Sequence, residues 1–309
     1  MVHRSETKAQ MLYKYLGVDG ARKTLAGRSF KLSAPANFND PFDIYLDEPL
    51  GLGTAEFTAQ LRAGMIEFFM GDIDYQSLRE GPNKNRIIQI HQALKNGSND
   101  QREKFRTEST QTPLEEMYNF AQLERNNRAV VTTIQNNYNR YGVLCMSDDP
   151  ANLLMWAHYA EHHRGAVFAF KPSLERDSAL LRARPVTYSA DRPLLYRSAD
   201  DLLRRGLLMT AIESAREITD QLVYTKGLDW SYEKERRLYI PDFVEPEKGY
   251  EYLDFHPEEL SAVYFGCRSP PEQRIELGSL ARQLNRDVDL FEILTDRREY
   301  ILDAQPFSL

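Results

Sequence analysis

The chain has 309 residues, enough for two average domains or one large domain with insertions, and its hydrophobic (42%) and aromatic (11%) content can supply a core. A formal net charge of −7 and a pI near 5.5 argue against broad attraction to nucleic acid or to an anionic membrane. No stretch approaches the roughly 20 apolar residues of a membrane span, residues 1–10 are too polar for a signal peptide, and Cys145 and Cys267 lack metal or redox spacing, so a reduced, cytoplasmic protein is expected.

In chain order, residues 12–16 read as a short aromatic strand. Val18, Ala21 and Leu25 then fall at helical spacing before Gly27 stops the helix, and 30–33 is a second strand. The segment 34–42 carries Pro35, Asn37, Asn39, Asp40 and Pro41, a dense set of turn formers, with Phe38 and Phe42 placed to fold onto something apolar. Two readings of it stay open: a plugged loop with Asp40 as an Asx cap, or the rigid rim of a pocket. From about 55 to 141 the apolar residues recur at helical spacing, and Gly81-Pro82-Asn83 and the polar run 95–100 break them into separate helices. This predicts a helical insertion or subdomain at about 50–140 with nothing catalytic on its polar faces.

Strand character returns at 142–147. A turn at 148–150 leads into an amphipathic helix over 152–163, carrying Leu153, Met155, Trp156 and Tyr159, and Gly165 closes it before an apolar strand at 166–170, suited to the centre of a sheet. One long helix is expected over 200–224, ended by Lys226-Gly227. A strand at 260–266, a helix at 272–285 and strands at 291–294 and 300–302 complete the chain. The expected fold class is α+β: a single domain over 1–309, its mixed sheet drawn from both ends of the chain, interrupted by the helical insertion.

The chemistry concentrates between the long helix and the last strands. If Trp230 to Ile240 is extended, Glu233, Glu235 and Arg237 share one face, and the two carboxylates lie roughly 7 Å apart by strand rise. Such a pair can raise the pKa of one member or divide orienting and proton-accepting roles. The alternative is a solvated edge strand of weak ion pairs. His158-Tyr159-Ala160-Glu161-His162 fits H-x-x-E-H, which on a helix would set two histidines one turn apart for zinc and give a zinc hydrolase. A polar helix end whose histidines favour the helix dipole explains the same residues, and no metal is expected.

Leu12 to Tyr15, Phe38-Asn39-Asp40-Pro41-Phe42, Cys145-Met146-Ser147, Met155-Trp156 with Tyr159, His163 and Gly165, and Trp230-x-Tyr232-Glu233-x-Glu235-x-Arg237 together resemble the DUF2971 family of bacterial and phage-associated proteins. The resemblance covers both ends of the chain and skips the helical region. More distantly, the layout is similar to the ADP-ribosyltransferase fold, in which a first strand carries a His or Arg, a second a Ser or aromatic residue near the nicotinamide, and a late strand the catalytic Glu. The resemblance implies NAD as substrate, Glu235 stabilising the oxocarbenium-like centre, Glu233 orienting the acceptor, and Tyr13, Lys14, Asn39, Asp40, Ser147, Trp156 and Tyr159 around the nucleotide. Tyr13 to Tyr15 stand where the usual His or Arg would be. The implied activity is ADP-ribosyl transfer or NAD hydrolysis in bacterial conflict or phage defence, as by a toxin, with an unidentified macromolecular acceptor. A nucleotide-binding sensor without turnover is the alternative.

Overall fold

The computed structural model describes residues 10–309. All but Gln10 of the polar opening segment lies outside the described residues.

The chain opens with β1 (Leu12–Leu16), α1 (Val18–Gly27) and β2 (Ser29–Ser33), followed by α2 (Thr54–Met70), α3 (Lys84–Asn96), α4 (Asn99–Gln111), α5 (Leu114–Met117) and α6 (Phe120–Tyr138). Next come β3 (Gly142–Ser147), α7 (Leu153–Tyr159), β4 (Ala166–Phe170), β5 (Arg184–Pro185), β6 (Thr187–Ser189), α8 (Ala199–Leu208), α9 (Ala211–Val223) and β7 (Thr225–Gly227). The last third holds β8 (Glu235–Ile240), β9 (Tyr250–Asp254), β10 (Leu260–Phe265), α10 (Pro271–Leu284), β11 (Asp289–Thr295) and β12 (Leu302–Pro306). The chain divides into two compact units. One takes the residues up to Ile44 with Asn137–Asp191 and Val223–Leu309; the other takes Tyr45–Asn136 and Arg192–Leu222. The helical region expected at about 50–140 is the larger part of the second unit, which also recruits α8 and α9.

The first unit is α+β. Its sheet runs β12-β11-β10-β4-β1-β3-β2-β9, antiparallel except for the parallel pair β10–β11, so it is mixed as expected. Period-two alternation decides the layers. Leu12 of β1 and Ala166, Phe168 and Phe170 of β4 join Ala21 and Leu25 of α1 and Leu277 and Ala281 of α10 on one face, while Tyr15, Val167, Met155 and Trp156 pack on the other. All five residues of β4 are buried, which matches its place between β1 and β10.

Strand β3 sets up the site. Along one edge it pairs with β8 over its whole length, from Gly142↔Ile240 to Ser147↔Glu235. Along the other edge β1 takes one end, at Tyr13↔Ser147, and β2 takes the opposite end, at Ser33↔Val143. The middle of β3 thus faces a gap between two diverging strands.

Three expectations need correction. The helix expected over 152–163 stops at Tyr159, because Glu161, His162 and His163 all have positive φ (49°, 54° and 68°). This tight turn is held by glycine: a Cβ on Gly165 would lie 2.0 Å from the Leu16 carbonyl oxygen, and one on Gly266 2.1 Å from that of His163. The helix over 200–224 is two helices, broken at Thr210, whose hydroxyl accepts from the Glu213 N–H while Glu213 accepts from the Thr210 N–H, a reciprocal cap that starts α9. Lys226 lies in β7, beside β6, and not at a helix end.

Candidate functional site

The gap between β1 and β2 opens into a cavity of about 390 Å³, a size suited to a small ligand. Its walls include Tyr13 and Lys14 from β1, Phe38 and Asn39 from the loop after β2, and Tyr159 from α7, and its floor is a cluster of buried charges.

Arg237 organises that cluster. It is fully buried, and all five of its N–H donors are used. Nε donates to Glu235 Oε1 (2.6 Å), Nη1 to Asp43 Oδ1 (2.7 Å) and the Val223 carbonyl (2.8 Å), and Nη2 to Asp43 Oδ2 (2.5 Å) and Glu235 Oε2 (2.9 Å). Lys226 is the second cation. Its ammonium donates to Glu233 Oε2 (2.5 Å) and Glu235 Oε2 (3.2 Å), lies 3.5 Å from Asp43 Oδ2, and sits 4.8 Å from the centre of the Trp230 ring. The other oxygen of Glu233 accepts from the Tyr159 hydroxyl at 2.6 Å, and Asn39 Nδ2 donates to that hydroxyl at 3.2 Å. Asp43, Glu233 and Glu235 against Lys226 and Arg237 leave an excess of one negative charge on the floor.

The two glutamates do meet, but not on one strand. Residues 228–233 form a 3-10 turn, Lys234 takes a left-handed conformation at φ 45°, and β8 begins only at Glu235. This kink brings both carboxylates onto one ammonium. It also makes them unequal. Burial raises Glu235, but Arg237 and then Lys226 outweigh it and hold the carboxyl at about 2. Burial raises Glu233 as well; there the attraction of Lys226 does not compensate, and the charge of Glu235 adds to the rise. Burial and the bond to Glu233 raise the Tyr159 hydroxyl in turn.

These opposed shifts fix the sign of a pH effect. The depressed pKa of Glu235 contributes stability that is present above the ordinary value of 4.5 and lost as pH falls toward about 2, whereas the raised pKa of Glu233 costs stability as pH climbs above 4.5. Urea unfolding from pH 5 to 2 should therefore show a steep loss of stability in the wild type and a shallower one in Glu235→Gln. Equal slopes would remove Glu235 from the ionised network.

Of the residues singled out in the sequence, Tyr13, Lys14, Asn39, Ser147, Tyr159, Glu233 and Glu235 line this one cavity. Asp40 does not: it is buried, and Oδ1 accepts from the Phe42 N–H at 2.9 Å, so it is the Asx cap of the loop. Trp156 does not either. It is 0% exposed in the core, edge-on to Tyr15, with its indole N–H on the Pro150 carbonyl. Ser147 is buried, and its hydroxyl donates to the Glu233 carbonyl oxygen at 2.6 Å, so it holds the backbone of the kink. The zinc alternative fails locally. His158 is at the end of α7 and His162 is beyond it in left-handed backbone, so they are not one helical turn apart, and Glu161 caps the Val18 N–H at 2.9 Å. Among the described residues no three His, Cys, Asp or Glu side chains are grouped to hold a metal ion.

Sequence reasoning missed Asp43 and Lys226, and it placed Arg237 without a partner. Asp43 carried no signal beyond its turn-rich neighbourhood. Lys226 was read as a helix end. Among the described residues no helix is long and apolar enough to cross a membrane. Comparison with family models, curated proteins and solved structures gave no match.

Proposed function

We propose that the cleft binds NAD and breaks its nicotinamide glycosidic bond, as an ADP-ribosyltransferase-like enzyme of DUF2971 type acting in bacterial conflict. The observation that carries this reading is one row of residues. Tyr13 of β1 is in register with Ser147 of β3, and Ser147 with Glu235 of β8, so the first-, middle- and late-strand positions of the resemblance lie side by side across three neighbouring strands. The row ends on Glu235, with the less acidic buried carboxylate of Glu233 beside it, and the rings of Phe38 and Tyr159 join that of Tyr13 in a wall suited to a flat heterocycle.

The roles divide differently from the first expectation. Both oxygens of Glu235 are occupied by Arg237, and one also by Lys226, so its charge is largely spent on holding these two cations. Among the described residues Glu233 has only the Tyr159 hydroxyl and the Lys226 ammonium, and its raised pKa suits proton transfer. In the proposed reaction the bond between the ribose anomeric carbon and the nicotinamide nitrogen breaks. The electron pair leaves with nicotinamide, which becomes neutral. The positive charge left on the ribosyl ring is stabilised by the net negative floor, and water or an acceptor hydroxyl attacks the anomeric carbon while losing its proton to Glu233. The direct test is nicotinamide release from NAD by the purified protein, followed by chromatography. Saturable release is expected. NAD binding without release would support the sensor alternative, and no binding would end both.

A further inference from the structure

We infer that the wall of the cleft between β1 and β2 is an anion subsite, built to take the diphosphate of a nucleotide on Lys14 and Lys31. It rests on the NAD reading only for the rest of the ligand. The carboxylates of the cleft are already committed. Asp43, Glu233 and Glu235 are all engaged by Lys226 or Arg237 on the floor. Lys14 and Lys31 line the same cavity, yet neither has a carboxylate partner among the described residues. Lys14 Nζ donates once, to the Cys145 carbonyl at 2.7 Å, which leaves two of its three N–H donors for a ligand. Lys31 is exposed at the rim and lies 4.4 Å over the Tyr250 ring, a contact that supplies no lone pair to its ammonium.

The backbone adds a donor. Asp148 N–H bonds to the Lys234 carbonyl, so in the antiparallel register of β3 and β8 the pairs that exchange hydrogen bonds include 146 with 236, and the pair Cys145 with Arg237 is one that does not. The N–H and C=O of Cys145 therefore both point into the gap left by β1 and β2. The carbonyl is taken by Lys14, and the N–H faces the same space, which Ser33 also lines. Lys14 of β1, Lys31 and Ser33 of β2 and the N–H of Cys145 on β3 thus all border one cavity, whose carboxylates are already tied to Lys226 and Arg237. Burial lowers the pKa of Lys14, and the nearby charges of Glu235 and Glu233 offset that only in part. An anionic diphosphate supplies the acceptors that the ammonium groups of Lys14 and Lys31 lack, and a nucleoside alone does not.

Calorimetric titration with ADP, adenosine and inorganic pyrophosphate tests the subsite without catalysis. ADP should bind at least about tenfold more tightly than adenosine, the least expected from charge-assisted hydrogen bonds, and this advantage should shrink with salt. Pyrophosphate should compete with ADP. Lys14→Met and Lys31→Met should each remove about tenfold of the ADP affinity and leave adenosine unchanged, and Lys14→Arg should retain most of it. If Lys14→Met does not fold, because it releases the Cys145 carbonyl, Lys31→Met and the unmutated comparison decide. ADP binding no tighter than adenosine, or insensitive to Lys31→Met, overturns the subsite, as does no binding of either. ADP binding that depends on the lysines in a protein that never releases nicotinamide retires the catalytic reading alone. Nicotinamide release with an unchanged KM for NAD in Lys31→Met retires the subsite alone.

Discussion

Arg237→Met should lower the unfolding free energy by about 3–5 kcal/mol, the usual cost of breaking a buried ion pair by removing one partner. The substitution keeps most of the side-chain volume and strips five donors from a position that is itself fully buried. Asp43 would lose both of its guanidinium bonds, Glu235 both of its own, and the Val223 carbonyl its donor, leaving Lys226 alone to offset three carboxylates. The penalty is thus chiefly that of stranded carboxylates and not the loss of a favourable net contact. The triple variant Asp43→Asn, Glu235→Gln, Arg237→Met removes those stranded charges and should recover a large part of the loss, since a buried pair replaced as a whole is often close to neutral. Urea unfolding followed by circular dichroism measures both. A loss below about 1 kcal/mol in the single variant would be the magnitude of an exposed ion pair, and would mean that the floor is open to water.

The parts of the fold that were legible in the sequence are those governed by local periodicity. The all-apolar run of β4 marked a central strand, and the helical spacing between Phe57 and Leu123 marked the helices of the second unit. The break at Thr210 was legible too, since Thr-x-x-Glu is a capping pattern, but the apolar residues on either side continued at helical spacing and hid it. The end of α7 was not legible, because three non-glycine residues in left-handed backbone contradict their own preferences and are imposed by the close contacts at Gly165 and Gly266. For the site, the meeting of Glu233 with Glu235 was anticipated from strand alternation, yet the actual cause is the kink at Lys234. Asp43 and Lys226 were invisible, because their roles arise from contacts with Arg237, Glu233 and Glu235, and pairings made across the chain leave no periodic trace. Asp40 shows how near a local reading can come: the loop does contribute an aspartate to the floor, but three residues later.

Glu233→Gln should cut nicotinamide release by about two to three orders of magnitude, while Glu235→Gln should act mainly through folding. The amide at 233 keeps an oxygen for one of the two donors now held by the carboxylate, Tyr159 or Lys226, but it removes the charge and the proton acceptor. Lys226 would remain paired to Glu235 and Asp43, so the floor should hold its shape, and the loss should appear in kcat with a smaller change in KM. Glu235→Gln faces Arg237 with an amide in place of a carboxylate, presenting an N–H where an acceptor is required and weakening the hold on Lys226. Its melting temperature should fall well below that of Glu233→Gln, and any activity it loses should track the unfolded fraction. Tyr159→Phe completes the comparison: it removes the hydroxyl that bridges Asn39 and Glu233 but no charge, so its release rate should lie between those of the wild type and Glu233→Gln. Single-turnover nicotinamide release, with thermal melts of all three variants, separates these effects. If Glu235→Gln stays as stable as the wild type and loses more activity than Glu233→Gln, the division of roles is reversed, and the carboxylate held by Arg237 is the one that faces the departing nicotinamide.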